Sequence, residues 1–493
     1  MTSIKENPLR QEKRRKLHEL RALGINPYPH NYKKTHETAP LKLKYADLNT
    51  GEAKESDHVK IAGRLMTKRP MGKAAFFNVQ DESGNIQIYL RKEELDETSN
   101  NVFSLVDIGD IIGVEGHMFK TQKGEVSIHA KKVEMLCKTI EPLPEKYHGL
   151  ADVELKYRYR HLDLITDPES REVYRKRAII LRETRKFLDD MGFLEVETPI
   201  LQKIYGGAAA RPFVTHHNTL DMQLFLKISP ETYLKRLIVG GFEKVYDMNR
   251  NFRNEGIDRT HNPEFTMIEW YEAYTDYLDQ MNRVESLVTT LAEKTNGSLQ
   301  VEFKGKTVDF TRPWKRLTMH DAIKQYGNIN VDDLSDSDLF ATIKKLGTTK
   351  DKPGNRGEMT CELFELVAEK ELWQPTFITD YPVEISPLTK MHRDKKGLVE
   401  RFELFIAGTE IANSYTELND PEDQYERLKE QESQRATNDE AQPMDEDFIH
   451  AIDVGMPPTG GVGLGIERVV MILTGKESIR DVILFPTLRP DKS

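Results

Sequence analysis

The stretch from Arg250 to Tyr271, RNFRNEGIDRTHNPEFTMIEWY, constrains the fold more than any other part of the chain. It reads as two β-strands joined by a long loop. The first strand ends in RNFRNE, the loop GIDRTHNP holds Gly256 and Pro263, and the second strand starts at Phe265. Strand side chains alternate between faces, so Phe265, Met267, Glu269 and Tyr271 share one face, and Arg253 and Glu255 stand together on the first strand. At ~3.3 Å per residue, Phe265 to Tyr271 spans roughly 20 Å. Such a platform offers a ring for stacking, a guanidinium fork suited to phosphate or carboxylate oxygens, and acceptors for an ammonium. For any one of these residues, a core strand pair with a charged rim is the commoner explanation. The whole string fits that explanation poorly.

The 493 residues are enough for two or more domains with large cores. A net charge of −10 excludes a polycation, so any contact with nucleic acid needs local basic patches. Cys137 and Cys361 lie far apart and have no partners at metal-ligand spacing. No disulfide framework or zinc site is indicated, which fits a reducing compartment. MTSIKENPLRQEKRRK has no apolar signal core, and no apolar run approaches membrane-spanning length. A cytoplasmic location is expected, with no membrane partner.

Residues 6–24 read as a helix stopped by Gly24. Arg10, Lys13, Arg14, Arg15, Lys16 and Arg21 form either a solvated face or a track for a phosphate backbone. From Val59 to Leu136, short strands separated by Gly-containing turns indicate a small barrel. Parity puts Phe77, Val79, Ile86, Ile88 and Leu90 inside, and Phe76, Gln87 and Tyr89 outside near Arg64 and Arg69. A base stacked on such an exposed ring is worth ~1–3 kcal/mol, although an ordinary edge-strand aromatic would look the same. GRLMTKRPMGKAAFFNVQD resembles the OB-fold anticodon-binding domain of class IIb aminoacyl-tRNA synthetases, lysyl branch. That resemblance implies that Phe76 stacks on an anticodon base and that Arg69, Gln87 and Glu125 read neighbouring base edges.

Pro142 and Pro144 open a charged connector, placed at 146–168 between an N-terminal domain (1–145) and a second domain (169–493). SREVYRKRAIILRETRKFLDDMGF has helix periodicity and leads into FLEVETPIL, a strand carrying Pro199. Gly206 and Gly207 allow close approach of backbone to a ligand, and Ser229-Pro230-Glu231 opens a helix. Residues 276–375 show no chemistry and read as a helical insertion outside the sheet, with one strand pair near VEFKGKTVDF. RFELFIAGTEIANSYTELND gives two strands joined at Ala407-Gly408, with Asn413, Tyr415 and Glu417 on one face. Glu403 and Glu410 could hold a hard cation such as Mg²⁺ through oxygen. Strict alternation turns Glu410 away from Asn413, so a bulge is required between them. Gly460, Gly461, Gly463 and Gly465 precede a helix holding Arg468, with no βαβ unit around them.

FRNEG…HNPEF resembles motif 2 of class II aminoacyl-tRNA synthetases. The helix–strand–Pro element resembles motif 1, which implies a homodimer, and GLGIER resembles motif 3. In order, they identify the chain as a member of the class II (subclass IIb) lysyl-tRNA synthetases. The implied fold is α+β: an OB-fold barrel, then an antiparallel sheet flanked by helices. The implied substrates are ATP with Mg²⁺, L-lysine and tRNA(Lys). The implied ATP contacts are Arg253, Glu255, His261, Asn262, Phe265 and Arg468, with Phe265 and Arg468 on opposite sides of the adenine. Arg253 and Arg468 are the implied catalytic pair.

For lysine the resemblance implies the Gly207 carbonyl and Glu231 at the α-ammonium, and Arg253 and Asn413 at the carboxylate. Glu417, hydrogen-bonded by Tyr271 with Glu269 close by, would take the ε-ammonium, with Tyr415 in the pocket wall. Where many bacterial members have Gly-Phe-Ser, this chain has Ser414-Tyr415-Thr416. Two other readings stay open. One is lysylation of a translation factor by a paralogous family that lacks the barrel. The other is a non-catalytic nucleic-acid-binding protein of the same fold.

Overall fold

The computed structural model describes residues 7–144, 152–348, 353–435 and 441–490. The chain forms two compact units, 1–149 and 150–493.

In the first unit, Asn7 accepts from Leu9 N and Pro8 sits in the first turn, so a helix runs Pro8–Ala22 and stops before Gly24, whose φ is +72°. Two of its basic residues turn inward, while Arg14, Arg15 and Arg21 stay exposed. Lys13 is buried and donates to Ile108 O and Thr139 Oγ1, and Lys16 pairs with Asp107 at 2.5 Å. A lysine stem this long reaches inward once acceptors lie beneath it. Five strands follow: β1 (Ala53–Met71), β2 (Ala74–Gln80), β3 (Asn85–Arg91), β4 (Ile111–Lys120) and β5 (Val126–Cys137). They close in the order β1-β2-β3-β5-β4. Phe77, Val79, Ile86, Ile88 and Leu90 fill the interior, as parity requires. The barrel's end is pinned by Asp110, which is fully buried. It accepts from Lys138 Nζ, Thr139 N, Thr139 Oγ1 and Asp107 N at 2.7–2.8 Å.

The second unit opens on the connector. Residues 146–151 lie outside those described, while Val153–Arg158 and Arg160–Thr166 are helical. Arg160 is buried and donates to the carbonyls of Arg480, Ile483 and Leu484, which ties this stretch to the C-terminal tail. The Pro168–Asp190 helix leads to β6 (Leu194–Glu195), only two residues long. Then come β7 (Leu201–Gln202), β8 (Val214–His217) and β9 (Met222–Leu226), a small sheet of their own, followed by β10 (Lys244–Phe252) and β11 (Glu264–Ala273). β12 (Gln300–Phe303) and β13 (Lys306–Asp309) form a hairpin. β14 (Lys315–Thr318), β15 (Thr376–Pro382), β16 (Leu398–Ile406), β17 (Thr409–Thr416) and β18 (Thr459–Gly465) complete the set.

The main sheet has eight strands in the order β14-β15-β16-β17-β18-β11-β10-β6. It is antiparallel except at its two edges, where β14 and β6 pair in parallel. One face is apolar: Ile268, Trp270, Phe402, Leu404 and Leu464 pack against the helices Pro168–Asp190, Tyr277–Asn296 and Ile466–Thr474.

Two expectations need correction. β10 ends at Phe252, so Arg253 and Glu255 stand on the loop beyond it, although Arg253 N still bonds Pro263 O at 2.9 Å. The 276–375 region is not wholly outside the sheet: it supplies edge strand β14 and a helix of the main core, because its Tyr277–Asn296 stripe is apolar enough to cover the sheet. The glycine cluster is a central strand. The α+β class and the two expected folds stand as read.

Replacing Asp110 with Ala would leave the buried Lys138 only Asp107 as a counter-ion and would unmatch three other donors. The expected loss is about 3–5 kcal/mol of first-unit stability, read as a lowered urea midpoint for the transition reported by barrel tyrosines.

Candidate active site

The open face of the main sheet lies under a cavity of about 600 Å³. Phe265, Met267, Glu269 and Tyr271 line it together, which is the same-face set expected for β11. Between β11 and β17 runs β18, whose Gly461, Gly463 and Gly465 also border the cavity. The glycines are required there: a Cβ on Gly461 would stand 2.1 Å from Glu417 Oε1 and 2.5 Å from the Tyr271 ring. Gly207, at φ +83°, is equally confined, since a Cβ would meet Ser229 Oγ and Glu231 Cβ at 2.7 Å. Gln442 Oε1 accepts from its N–H.

At the Phe265 end, the Arg253 guanidinium lies 5.2 Å from the ring centroid. Arg253 Nε is buried and has no hydrogen-bond partner. An unmatched buried donor costs about 1–3 kcal/mol, so this one is poised for an anionic ligand. Arg468 lines the same cavity and donates to the Glu410 carbonyl at 2.7 Å and to its carboxylate at 3.0 Å. Glu255 and His261 are exposed loop residues on the cavity wall, and His261 Nδ1 contacts Asp258 at 2.8 Å. Asn262 is buried, with both ends of its amide committed: it donates to Glu264 O and accepts from Thr487 N. It shapes the loop that the ligand would meet.

At the Tyr271 end the cavity is acidic. Glu269 accepts from Ser229 Oγ at 2.8 Å and from Tyr271 OH at 3.2 Å. Burial, and next the charge of Glu231, push its carboxyl up to about 8. Glu417 is buried and is pushed up to about 8 by burial, against the opposing pull of Lys235. Its Oε1 has no hydrogen-bond partner. The expected Tyr271–Glu417 bond is not formed. Tyr271 points along its own strand to Glu269 two residues away, and the cation beside Glu417 is Lys235, at 2.5 Å. Lys235 is a residue that sequence reasoning misses, although its position four residues after Glu231 on a helix is an available signal.

Asn413 and Tyr415 line the wall and are linked to each other, Asn413 Nδ2 donating to Tyr415 OH at 3.1 Å. Arg401, also missed, lines the cavity beside them. It donates to Asn413 Oδ1 and to Ser386 Oγ, and lies 5.5 Å from the Tyr415 ring centroid.

The bulge required for Glu410 is present. Leu404 pairs with Ala412 but Phe405 pairs with Glu410, leaving Ile411 as an extra residue on β17. That residue resets the alternation and brings Glu410 to the cavity face with Asn413. Glu403 does not reach the lining. It pairs with Arg401 at 2.6 Å, and burial pushes its carboxyl upward, while Arg468 holds the Glu410 carboxyl low despite burial. Glu403 and Glu410 sense each other's charge. Among the described residues no group of three acidic, histidine or cysteine side chains is placed to hold a metal alone.

In the barrel unit, Phe76 is half-buried beside Tyr89, with ring centroids 4.9 Å apart. Phe119, His129 and His117 continue the aromatic row, a set that sequence reasoning does not find because it spans β3, β4 and β5. Gln87 accepts from Ser127 Oγ on this face, Arg69 pairs across to Phe76, and Glu125 is exposed and contacts Lys42. Arg64 is spent on Gly109 O.

Known families match both units of the chain. A profile of OB-fold nucleic acid binding domains matches residues 59–136, and one for tRNA synthetases class II (D, K and N) matches 152–489. The lysine–tRNA ligase of Carboxydothermus hydrogenoformans is 52% identical over 486 residues, and that of Syntrophomonas wolfei is 51% identical over 487, covering 98% of both chains in each case. The lysine–tRNA ligase of a Nostoc strain is 49% identical over 504 residues, covering 99% of this chain and 89% of its own. A class II catalytic sheet preceded by a nucleic-acid-binding barrel, matched at this identity along its whole length, belongs to the family of class II (D, K and N) tRNA synthetases.

Proposed function

We propose that this chain is a lysine–tRNA ligase, which activates L-lysine with ATP and transfers it to the 3′ end of tRNA(Lys). The observation that carries the choice of amino acid is the buried Glu417 carboxylate, with an unpartnered oxygen at the wall of the cavity. Burying an ammonium without a counter-charge costs several kcal/mol, and a neutral isostere would leave the carboxylate unmatched. The site therefore selects a cationic side chain.

In this reading Glu231 and the Gly207 carbonyl take the α-ammonium. Arg253 meets the carboxylate, Glu417 takes the ε-ammonium, and Tyr271 and Glu269 shape the acidic end. Asn413 joins Arg253 at the carboxylate, and Tyr415 flanks the aliphatic stem. The adenine lies between Phe265 and Arg468, with Glu255 and the Asn262 loop at its edge and His261 toward the γ-phosphate. The lysine carboxylate attacks the α-phosphorus, forming the acyl–phosphate bond as the bond to pyrophosphate breaks. The terminal ribose hydroxyl of the tRNA then attacks the carbonyl and AMP leaves. No side chain acts as a covalent nucleophile. Arg253 and Arg468 align the phosphates and match the charge that develops on them.

Mg²⁺ favours one or two carboxylates together with phosphate oxygens and water, which suits Glu410 at the wall with Glu403 behind it. When bound it would supply further neutralisation of the triphosphate. Phe76, Gln87, Arg69 and Glu125 are the anticodon contacts in this reading. The barrel favours tRNA over a protein acceptor, and the intact site argues against a non-catalytic role. The two free cysteines fit a cytoplasmic enzyme.

The motif 1 region exposes Leu194, Ile200 and Leu201, and Val214 and Leu220 just after it are exposed too. An apolar patch of this kind supports a homodimer. Light scattering should return twice the chain mass of 56.9 kDa, and a monomer at micromolar concentration would refute the dimer.

Lysine-dependent ATP–pyrophosphate exchange tests the activation step, with aspartate and asparagine as controls. In Glu417→Gln the KM for lysine should rise roughly 30-fold or more, with the KM for ATP little changed. An unaltered lysine KM would place the ε-ammonium elsewhere.

The pH dependence follows from the same groups. Burial pushes the Glu269 carboxyl up to about 8, with Glu231, Ser229, Tyr271 and Arg253 facing it, whereas Glu417 is held against the Lys235 ammonium. Glu269 is therefore largely protonated at pH 7, and a nearby ammonium favours its ionised form, so lysine binding releases a proton. The KM for lysine should fall as pH rises from 6.5 toward 8, by up to about tenfold per unit, and then level off. A flat profile would mean that this carboxyl does not sense the substrate.

A further inference from the structure

Behind the acidic end of the cavity sits a lysine of the protein's own. Lys235, on the Glu231–Val239 helix, is fully buried and does not line the cavity. Its ammonium lies 2.7 Å from Glu231 Oε1 and 2.5 Å from Glu417 Oε2, two carboxylates that come from a helix start and from the end of β17. The Phe448 ring closes the other side, 5.9 Å from Nζ. Both carboxylates face the cavity, so the cation bridges them from the rear.

We infer that Lys235 is the positioning residue that sets the charge and geometry of the lysine pocket, as a resident counter-ion tying Glu231 to Glu417. The inference rests on the reading of those two carboxylates as the α- and ε-ammonium sites. Three carboxylates stand around this end, Glu231, Glu269 and Glu417, against two cations, Lys235 and Arg253. The set has one net negative charge when ionised. Free lysine, with two ammonium groups and one carboxylate, carries one net positive charge, so the loaded pocket is neutral. Farther along, Arg401 and Arg468 are matched by Glu403 and Glu410.

Without Lys235, Glu231 and Glu417 would face each other with no cation between them. Like charges at this separation in a buried site hold a proton in common. Lysine would then have to displace that proton, and the two carboxylates would lose their shared anchor.

The test is ATP–pyrophosphate exchange with Lys235→Met across pH 6.5 to 8.5. At pH 7 the KM for lysine should rise roughly 30-fold or more, while the KM for ATP stays within about threefold. The defect should shrink as pH rises, by up to about tenfold per unit. A lysine KM unchanged at pH 7, or raised equally at every pH, would overturn the inference. Glu417→Gln run alongside separates the two failures. If Glu417→Gln is also silent, the pocket assignment is wrong. If only Lys235→Met is silent, the counter-ion role alone falls.

Should Lys235→Met not fold, Lys235→Met/Glu417→Gln, which leaves one fewer buried charge, supplies the comparison. Its lysine KM should be no worse than that of Glu417→Gln. A further tenfold increase would mean that Lys235 acts independently of Glu417.

Discussion

A β-strand sends alternate side chains to opposite faces, and the catalytic unit depends on keeping those faces chemically distinct. On β11, Ile268 and Trp270 go to the helical core, while Phe265, Glu269 and Tyr271 go to the cavity. The apolar face supplies the burial that fixes the sheet, which is why the polar face can carry so many uncompensated groups. Two local departures complete it. The extra Ile411 on β17 carries Glu410 across to the cavity face, and bare glycines on β18 leave room where any side chain would fill the pocket. A slip of one residue in either strand would exchange core for site.

The second constraint is the cost of holding charge away from water. Glu417 at one end of the cavity and Arg253 at the other are each buried more deeply than their own partners repay. Glu417 Oε1 and Arg253 Nε remain without hydrogen bonds, and those two unmatched groups define opposite polarities along one platform. An amino acid with a cationic tail and a triphosphate with an aromatic base would satisfy both. Lys235 limits the imbalance at the acidic end, so the pocket is primed for a cation without being forced to neutralise entirely.

Much of this is legible in the order of the residues. The period-2 pattern of the barrel strands, the same-face set of β11, the Ala407-Gly408 turn and the order of the three motifs all depend on neighbours in the chain. The expectations that fail share a common origin. Tyr271 is expected at Glu417 because both belong to the acidic end, yet its hydroxyl meets Glu269, which is nearer along its own strand. Lys13 and Lys16 look like surface charge, although the acceptors that draw them inward come from about ninety to one hundred and twenty residues away. The 276–375 region looks like an appendage because β14 meets its partner β15 across the intervening helices, far along the chain.

By itself, the amino-acid order determined which residues lie on a common face, where chains turn, and which chemical types occur at each end of the platform, because alternation and helix periodicity are local properties of the backbone. Only the tertiary structure decided which charges meet. Lys235 lies between Glu231 and Glu417, Arg401 beside Asn413, and Glu403 against Arg401. The Lys235–Glu417 pair joins segments far apart in the chain, and the electrostatic strength of all these contacts depends on how much water the fold removes from around them.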